Sequence, residues 1–326
     1  MMKTILSGIQ PSGKLHFGNY FGAIRQHIKM QNKGEAFYFI ANYHAMTSIQ
    51  DGERLERYTY DVALDYLALG LDPNKAIFFA QSDVPQVTEL TWILSTVCPV
   101  SFMEKGVAYK DKVAQGLSPN MGLFSYPILQ AADILIYNSD LVPVGADQKQ
   151  NIEITRDLAG KLNYAFDREL LTIPEPHILE SVAVVPGIDG RKMSKSYGND
   201  IGIFAEGKKL KKRVMSIETD STPLDDPKDP EKCNVFALIN LFADDETREE
   251  IAGKYRQGGY GYGHAKKELL ELVKEYFAEA RESRKELEKD MDYVKDVLRE
   301  GGKKARERAE EVMQPIREAG GIVQNR

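Results

Sequence analysis

The opening turn limits how this chain can fold more than any other feature. Residues 3–8 form a short apolar run, and Ser7-Gly8-Ile9-Gln10-Pro11-Ser12-Gly13-Lys14-Leu15-His16-Phe17-Gly18-Asn19 carries it through a glycine-rich turn into a helix. A turn of this kind aims main-chain N–H groups and the helix dipole at one point, and phosphate is the natural ligand there. Further apolar or β-branched runs follow at 36–41, 76–80 and 141–145, separated by stretches of helical period such as Glu53 to Leu69, which Gly70 closes. Strands alternating with helices predict an α/β fold, a Rossmann-like parallel sheet with crossover helices. In such sheets ligands lie beyond the carboxyl ends of the strands, where the opening turn falls.

Beyond about residue 200 the pattern becomes helical, with long charged segments from His264 to Arg299 and from Gly302 to Ala319, set off by the Pro- and Asp-rich stretch Ser221 to Pro230. The expected organisation is a nucleotide-binding domain over 1–200 and an all-helical region over 201–326, whose last helices can pack back on the first domain. With 42% hydrophobic and 28% charged residues, the composition is that of a soluble globular protein. The first apolar run is too short for a signal peptide and no run reaches membrane-spanning length, so a cytoplasmic location without membrane contact is expected. Cys98 and Cys233 lie far apart without C-x-x-C spacing and support neither a disulfide framework nor a cysteine metal site. A net charge of −6 argues against indiscriminate coating of nucleic acid but allows a local basic surface. Lys208, Lys209, Lys211, Lys212 and Arg213 form one such cluster, and Lys303, Lys304, Arg306 and Arg308 another; either alone reads first as a solvated helix face.

Two further segments concentrate chemistry. Lys192-Met193-Ser194-Lys195-Ser196, just after Gly187-Ile188-Asp189-Gly190, puts two ammonium groups and two hydroxyls on five residues and suits a polyanion. In the apolar stretch Phe124 to Tyr137, the polar residues Tyr126, Gln130 and Asp133 fall at i, i+4 and i+7 on one helical face. A carboxylate in so apolar a helix must find a donor or a charge, whether from a ligand or from a base on a neighbouring helix.

These residues carry a resemblance. His16-Phe17-Gly18-Asn19 is a variant of the H-I-G-H signature, and residues 192–196 match K-M-S-K-S without a change. Val142-Pro143-Val144-Gly145-Ala146-Asp147-Gln148-Lys149-Gln150, Thr155-Arg156-Asp157-Leu158-Ala159 and Gly259-Tyr260-Gly261-Tyr262-Gly263-His264-Ala265-Lys266-Lys267 extend it. Over nearly its full length the chain resembles the bacterial-type tryptophanyl-tRNA synthetases, which are class I aminoacyl-tRNA synthetases. The resemblance implies activation of L-tryptophan with ATP and Mg²⁺, transfer to tRNA(Trp), a homodimer, and anticodon recognition by the helical region. Such chemistry needs no general base, because a carboxylate already ionised at neutral pH attacks the α-phosphate; positioning and charge stabilisation do the rest.

Carried over residue by residue, the resemblance makes Lys112, Lys192, Lys195, His16 and Asn19 the groups that act on phosphate. Gln10, Pro11, Ser12, Gly18, Asn19, Gly145, Ala146, Asp147 and Val184, with Lys192, Met193, Ser194, Lys195 and Ser196, would line the ATP site. Leu6, Gly8, His44, Tyr126, Gln130, Asp133, Val142, Val144 and Gln148 would line the amino-acid pocket, with Asp133 accepting from the indole N–H, which can only donate. No protein-held metal is expected. Gln130 and Leu6 stand where some tryptophanyl enzymes have Met and Phe, and Tyr-x-x-x-Gln-x-x-Asp also resembles the pocket of tyrosyl-tRNA synthetases. Two further alternatives are an adenylyltransferase sharing the H-x-G-H turn, a class generally shorter and without a helical tail, and a non-catalytic paralogue that binds amino acid or RNA. Loss of the phosphate-site lysines would mark such a paralogue, and Lys112, Lys192 and Lys195 are all present.

Overall fold

The computed structural model describes residues 3–104, 120–144, 149–178 and 184–322. Five parallel strands, β1 (Thr4–Ile9), β2 (Glu35–Ile40), β3 (Ala76–Ala80), β4 (Leu141–Val144) and β5 (Glu175–Ile178), lie in the order β3-β2-β1-β4-β5. The register runs from Thr4 opposite Glu35 to Ile9 opposite Ile40, and Ile5 pairs with Leu141 on the other side. Strand order therefore reverses between β1 and β4, which opens a crevice at their carboxyl ends. This is the Rossmann-like arrangement expected from the alternating pattern. β5 has no counterpart among the expected strands; its Glu-Pro-His-Ile sequence lacks a period, and Pro176 is tolerated because β5 is an edge strand.

The helices that frame the site are α1, a continuous run of Phe17–Asn19, the π-helical Tyr20–Ile24 and Arg25–Met30; α2 (Asn42–Ala45); α3 (Gly52–Ala68); α4 (Gln86–Val97); α5 (Met121–Leu135); and α6 (Lys149–Ala165). The helical tail contains α7 (Gly207–Met215), α8 (Asn234–Phe242), α9 (Asp245–Gln257), α10 (Tyr262–Tyr276), α11 (Ala278–Leu287) and α12 (Met291–Ala319). No described helix is long and apolar enough to cross a membrane.

Both faces of the sheet are covered, which is why β2 reads as a near-continuous apolar run rather than an alternation. Ala36, Tyr38, Ile40 and Phe78 face a core shared with α3 and the helical tail, while Leu6, Phe37, Phe39 and Phe79 face a second core built by α4, α5 and α6. α12 serves both cores. Its first turns bury Val294, Val297 and Leu298 in the first, and Ala305, Ala309, Val312, Met313 and Ile316 enter the second.

Here the structure corrects the expected helices. The segment from His264 to Arg299 is broken at Phe277 and again before Met291, where Asp290 caps α12 by accepting from the Tyr293 N–H. Conversely, α12 runs unbroken through Gly301-Gly302, where a helix start was expected at Gly302. The glycines mark the place where the helix passes edge strand β3. A Cβ on Gly301 would lie 1.9 Å from the Phe78 carbonyl oxygen, and one on Gly302 would lie 2.7 Å from Asp83 Cβ. Close approach to a strand, and not termination, explains the pair.

Two arginines, Arg284 half-buried and Arg317 buried, tie the tail down. Arg284 of α11 pairs with Asp65 at 2.6 Å and Asp61 at 3.0 Å, both on α3. Burial pushes the Asp65 carboxyl up to about 6, against the opposing pull of Arg284. Arg317 of α12 takes both oxygens of Glu89 on α4, at 2.8 and 2.6 Å. The bidentate geometry fixes the helix direction as well as supplying energy.

Candidate active site

The two signature segments meet at the carboxyl end of β1. Main-chain hydrogen bonds join Phe17 N to Ile201 O (3.0 Å) and Ile203 N to Leu15 O (3.1 Å), so the chain entering α1 pairs with the chain leaving the lysine-rich loop. Phe17 is fully buried, edge-on to Phe242 at 5.1 Å and stacked on Phe277 at 5.7 Å, which anchors the start of α1 to the tail. Across this junction Lys195 Nζ donates to Ser12 Oγ (3.1 Å) and to the Gly13 carbonyl (3.0 Å). Burial pushes the Lys195 ammonium down, while Asp200 and Asp65 oppose that shift.

His16 caps the start of α1 from a buried position, and its main-chain N–H donates to Asn19 Oδ1 at 3.0 Å. Burial, reinforced by the charge on Lys195, pushes the imidazole down to about 4, so the ring is neutral at neutral pH. Its Nδ1 is buried and has no hydrogen-bond partner. A buried polar atom in that state is costly and is expected to be satisfied by a ligand or water.

Asn199 organises the lysine-rich loop. It is 2% exposed; its Oδ1 accepts from Ser194 N at 2.7 Å, and its Nδ2 donates to Asp189 Oδ1 (2.7 Å) and the Lys192 carbonyl (3.2 Å). Gly187 makes room for it, since a Cβ there would lie 2.3 Å from Asn199 Nδ2. Met193 is buried and bonded through its N–H to Val185 O (2.9 Å), and Arg213 of α7 donates to the carbonyls of Asp200 and Gly198. Lys192 and Ser196 stay exposed, with Ser194 accepting from Ser196 N at 3.3 Å.

The second part of the site lies between α2, α5 and the carboxyl end of β3. Asp133 is 2% exposed and accepts from His44 Nε2 on Oδ2 (2.8 Å) and from Gln81 Nε2 on Oδ1 and Oδ2 (2.8 and 2.9 Å). Burial pushes its carboxyl up, opposed by the hydrogen bond and charge of His44 and by the Gln81 amide. Gln81 is 1% exposed, and its Oε1 accepts from the main-chain N–H of Tyr43 (3.0 Å) and His44 (3.4 Å). The Tyr126 ring stands edge-on to His44 at 6.4 Å. Gln10 reaches from the first part, donating to the His44 carbonyl at 3.2 Å, so the two parts touch. Tyr43, Tyr126 and Leu129 also line a cavity of about 520 Å³ between α2, α4 and α5.

The structure thus brings Gln10, Ser12, His16, Asn19 and Lys195 together, and His44, Tyr126 and Asp133 together beside them. Pro11 is buried in the turn, Gly18 abuts the His16 ring and Met193, and Gln130 is half-buried on α5. Leu6 and Val142 lie in the apolar core beneath the strand ends, Gly8 is exposed against Phe39, and Val184 is 67% exposed. Lys112, Gly145, Ala146, Asp147 and Gln148 fall outside the described residues, as does the side chain of Val144. Asp133 has found both a base and an amide, and the amide donor, Gln81, was not singled out from sequence; nor was Asn199. The usable signal for Gln81 is its place, the first residue past β3 at the carboxyl edge of a parallel sheet.

Residues 2–278 match the family model described as tRNA synthetases class I (W and Y). The tryptophan–tRNA ligase of Fusobacterium nucleatum is 56% identical over 99% of each chain, and that of Campylobacter jejuni is 53% identical over 98% of this chain and 99% of the relative. The crystal structure of the Campylobacter jejuni tryptophanyl-tRNA synthetase complexed with ADP and tryptophan superposes with a TM-score of 0.93, covering 98% of this chain and all of that one. A tyrosyl-tRNA synthetase from Archaeoglobus fulgidus, at 19% identity and TM-score 0.64, shares the fold.

Proposed function

The chain belongs to the class I tRNA synthetases for tryptophan and tyrosine, and from that premise we propose that it activates L-tryptophan with ATP to tryptophanyl-adenylate and pyrophosphate. The tryptophanyl group then passes to the terminal adenosine of tRNA(Trp) for protein synthesis. The observation that carries the tryptophan reading over tyrosine is the full-length likeness to ligases named for tryptophan, one of them solved with ADP and tryptophan.

In this reading the tryptophan carboxylate attacks the α-phosphate, and the pyrophosphate oxygens gather the charge that leaves. Lys192 and Lys195 supply cations there, with Lys112 as a third, while Ser12, Gly18 and Asn19 offer small or polar surface to the phosphates. A neutral His16 approaches phosphate as a hydrogen-bonding group and not as a fixed charge. Gly145, Ala146 and Asp147 hold the ribose side of ATP, and Val184 flanks the base. Asp133 receives the indole N–H, with Gly8, His44, Tyr126, Gln130, Val144 and Gln148 around the substrate and Leu6 and Val142 beneath it. Mg²⁺ arrives with ATP, and phosphate oxygens would carry it. When bound, the ion adds positive charge where the pyrophosphate departs.

Residues 1–200 act as the catalytic domain and 201–326 read the anticodon of tRNA(Trp). The protein works in the cytoplasm as a homodimer; Trp92 of α4 and Met121 of α5, both 72% exposed, are apolar surface that a partner subunit would cover. Amino-acid-dependent exchange of labelled pyrophosphate into ATP, run with each of the twenty amino acids, tests the function. Exchange with tryptophan alone is expected. Exchange with tyrosine alone would move the assignment to the tyrosyl branch, and none at all would make the chain a paralogue that binds without adenylating.

A further inference from the structure

We infer that Gln81 is a positioning residue for amino-acid selection: its amide fixes the Asp133 carboxylate and the neighbouring α2 main chain in the arrangement that accepts the indole N–H. The inference rests on the tryptophan reading of the site and deepens it.

Four observations carry it. The amide cannot be turned round, because Oε1 accepts from two main-chain N–H groups, at Tyr43 and His44, so the NH₂ group must face Asp133. Nε2 then spans both carboxylate oxygens at nearly equal distance, 2.8 and 2.9 Å, which sets the plane of the carboxylate. His44 occupies Oδ2 as a second donor, so Oδ1 keeps more unused acceptor capacity. Gln81 is also shut away, at 1% exposure, and touches Asp133 from an element distant in sequence. A group so placed touches no substrate and acts only through the residues it holds. Its removal would leave a buried carboxylate with one donor and two main-chain N–H groups with none.

The test uses pyrophosphate exchange with two substrates, tryptophan and its β-(benzothiophen-3-yl)alanine analogue, in which sulfur replaces the indole N–H at nearly the same shape. Gln81→Glu keeps an acceptor for Tyr43 and His44 but turns the donor to Asp133 into a second carboxylate oxygen. Tryptophan KM should rise about tenfold to a hundredfold, with kcat at saturation changing less than about threefold. The preference for tryptophan over the sulfur analogue should fall by a similar factor, because the analogue never used the acceptor. Gln81→Met, which removes donor and acceptor together, should show the same loss of preference and carries the test should the first variant fold poorly by circular dichroism. Unchanged preference in a folded variant would overturn the inference and leave Gln81 a tie between α2 and β3. Failure of the unaltered protein to exchange with tryptophan would sink the tryptophan reading instead.

Discussion

At the proposed phosphate end Lys195 rests on Ser12 and Gly13 through two hydrogen bonds, whereas at the proposed amino-acid end Asp133 lies buried under three bonds from His44 and Gln81. The first arrangement suits charge that grows during reaction. Each bond runs from a charged donor to a neutral oxygen and contributes about 1.5 to 3 kcal/mol, and an anionic phosphate oxygen is the stronger acceptor, so the exchange to phosphate is downhill. The second arrangement suits a choice made before reaction, since a carboxylate whose plane is fixed rejects a side chain that lacks a donor in the right place. Binding that is equal in ground and transition states does not speed chemistry, so the two ends should fail in different kinetic constants when damaged.

The largest effect is expected from Lys195→Ala. Losing one charged stabiliser should cost about 2 to 4 kcal/mol of barrier, or roughly 30- to 1000-fold in the rate of adenylate formation, with the tryptophan affinity little changed. Single-turnover kinetics and equilibrium binding of tryptophan separate the two quantities. A variant that loses affinity for tryptophan while keeping its burst would break the division drawn between the two ends.

Asp133→Asn attacks the other end. A hydrogen bond to a charged group contributes about 1.5 to 3 kcal/mol, so tryptophan KM should rise about tenfold to a hundredfold, with weakened selection against phenylalanine and a smaller change in kcat. Steady-state exchange with both amino acids checks this. Unchanged selectivity would make Asp133 a structural partner of His44 and Gln81 and nothing more.

Local pattern made the phosphate end easier to read. Lys195 and Ser12 each belong to a contiguous signature, and β1 to β4 announce themselves as apolar runs; only the pairing of Lys195 with Ser12 required the fold. The stripe of Tyr126, Gln130 and Asp133 was equally visible, because a helix repeats every 3.6 residues. Gln81 was not, since it is a single polar residue after a strand and acquires its role only when β3 and α5 pack. The tail misled for a related reason. Gly301-Gly302 looks the same in sequence whether it ends a helix or lets one pass a strand, and only the Phe78 carbonyl, at 1.9 Å from where a Cβ would be, decides between them.

A smaller effect should follow at Asn199, which holds the lysine-rich loop from a buried position. Asn199→Ala removes bonds to Ser194, Lys192 and Asp189 from a buried position. The loop would then sample more conformations, and adenylate formation should slow about tenfold, less than for Lys195→Ala, with tryptophan KM within about twofold. An equal rise in tryptophan KM would mean that the loop's order is transmitted to the amino-acid end through Gln10, which reaches from the first part to His44.

The mildest test leaves the sequence alone and varies pH. Burial raises the Asp133 pKa, so on acidification this carboxylate takes up a proton earlier than an exposed one would, and it accepts an indole N–H fully only while ionised. Scanned from about pH 8 to 5, tryptophan KM should therefore be flat at the alkaline end and rise toward the acid end, at higher pH than an exposed carboxylate would give. His16 moves the opposite way: burial and Lys195 hold it down to about 4, so it stays neutral across the same range and should impose no change on the rate of adenylate formation at saturating tryptophan. Asp133→Asn lacks the titrating carboxylate, and its KM profile should be flat. If instead the saturated rate titrates near pH 6 while KM does not, the responsive group belongs to the phosphate end, and the neutral His16 assigned there would have to be charged in the nucleotide complex.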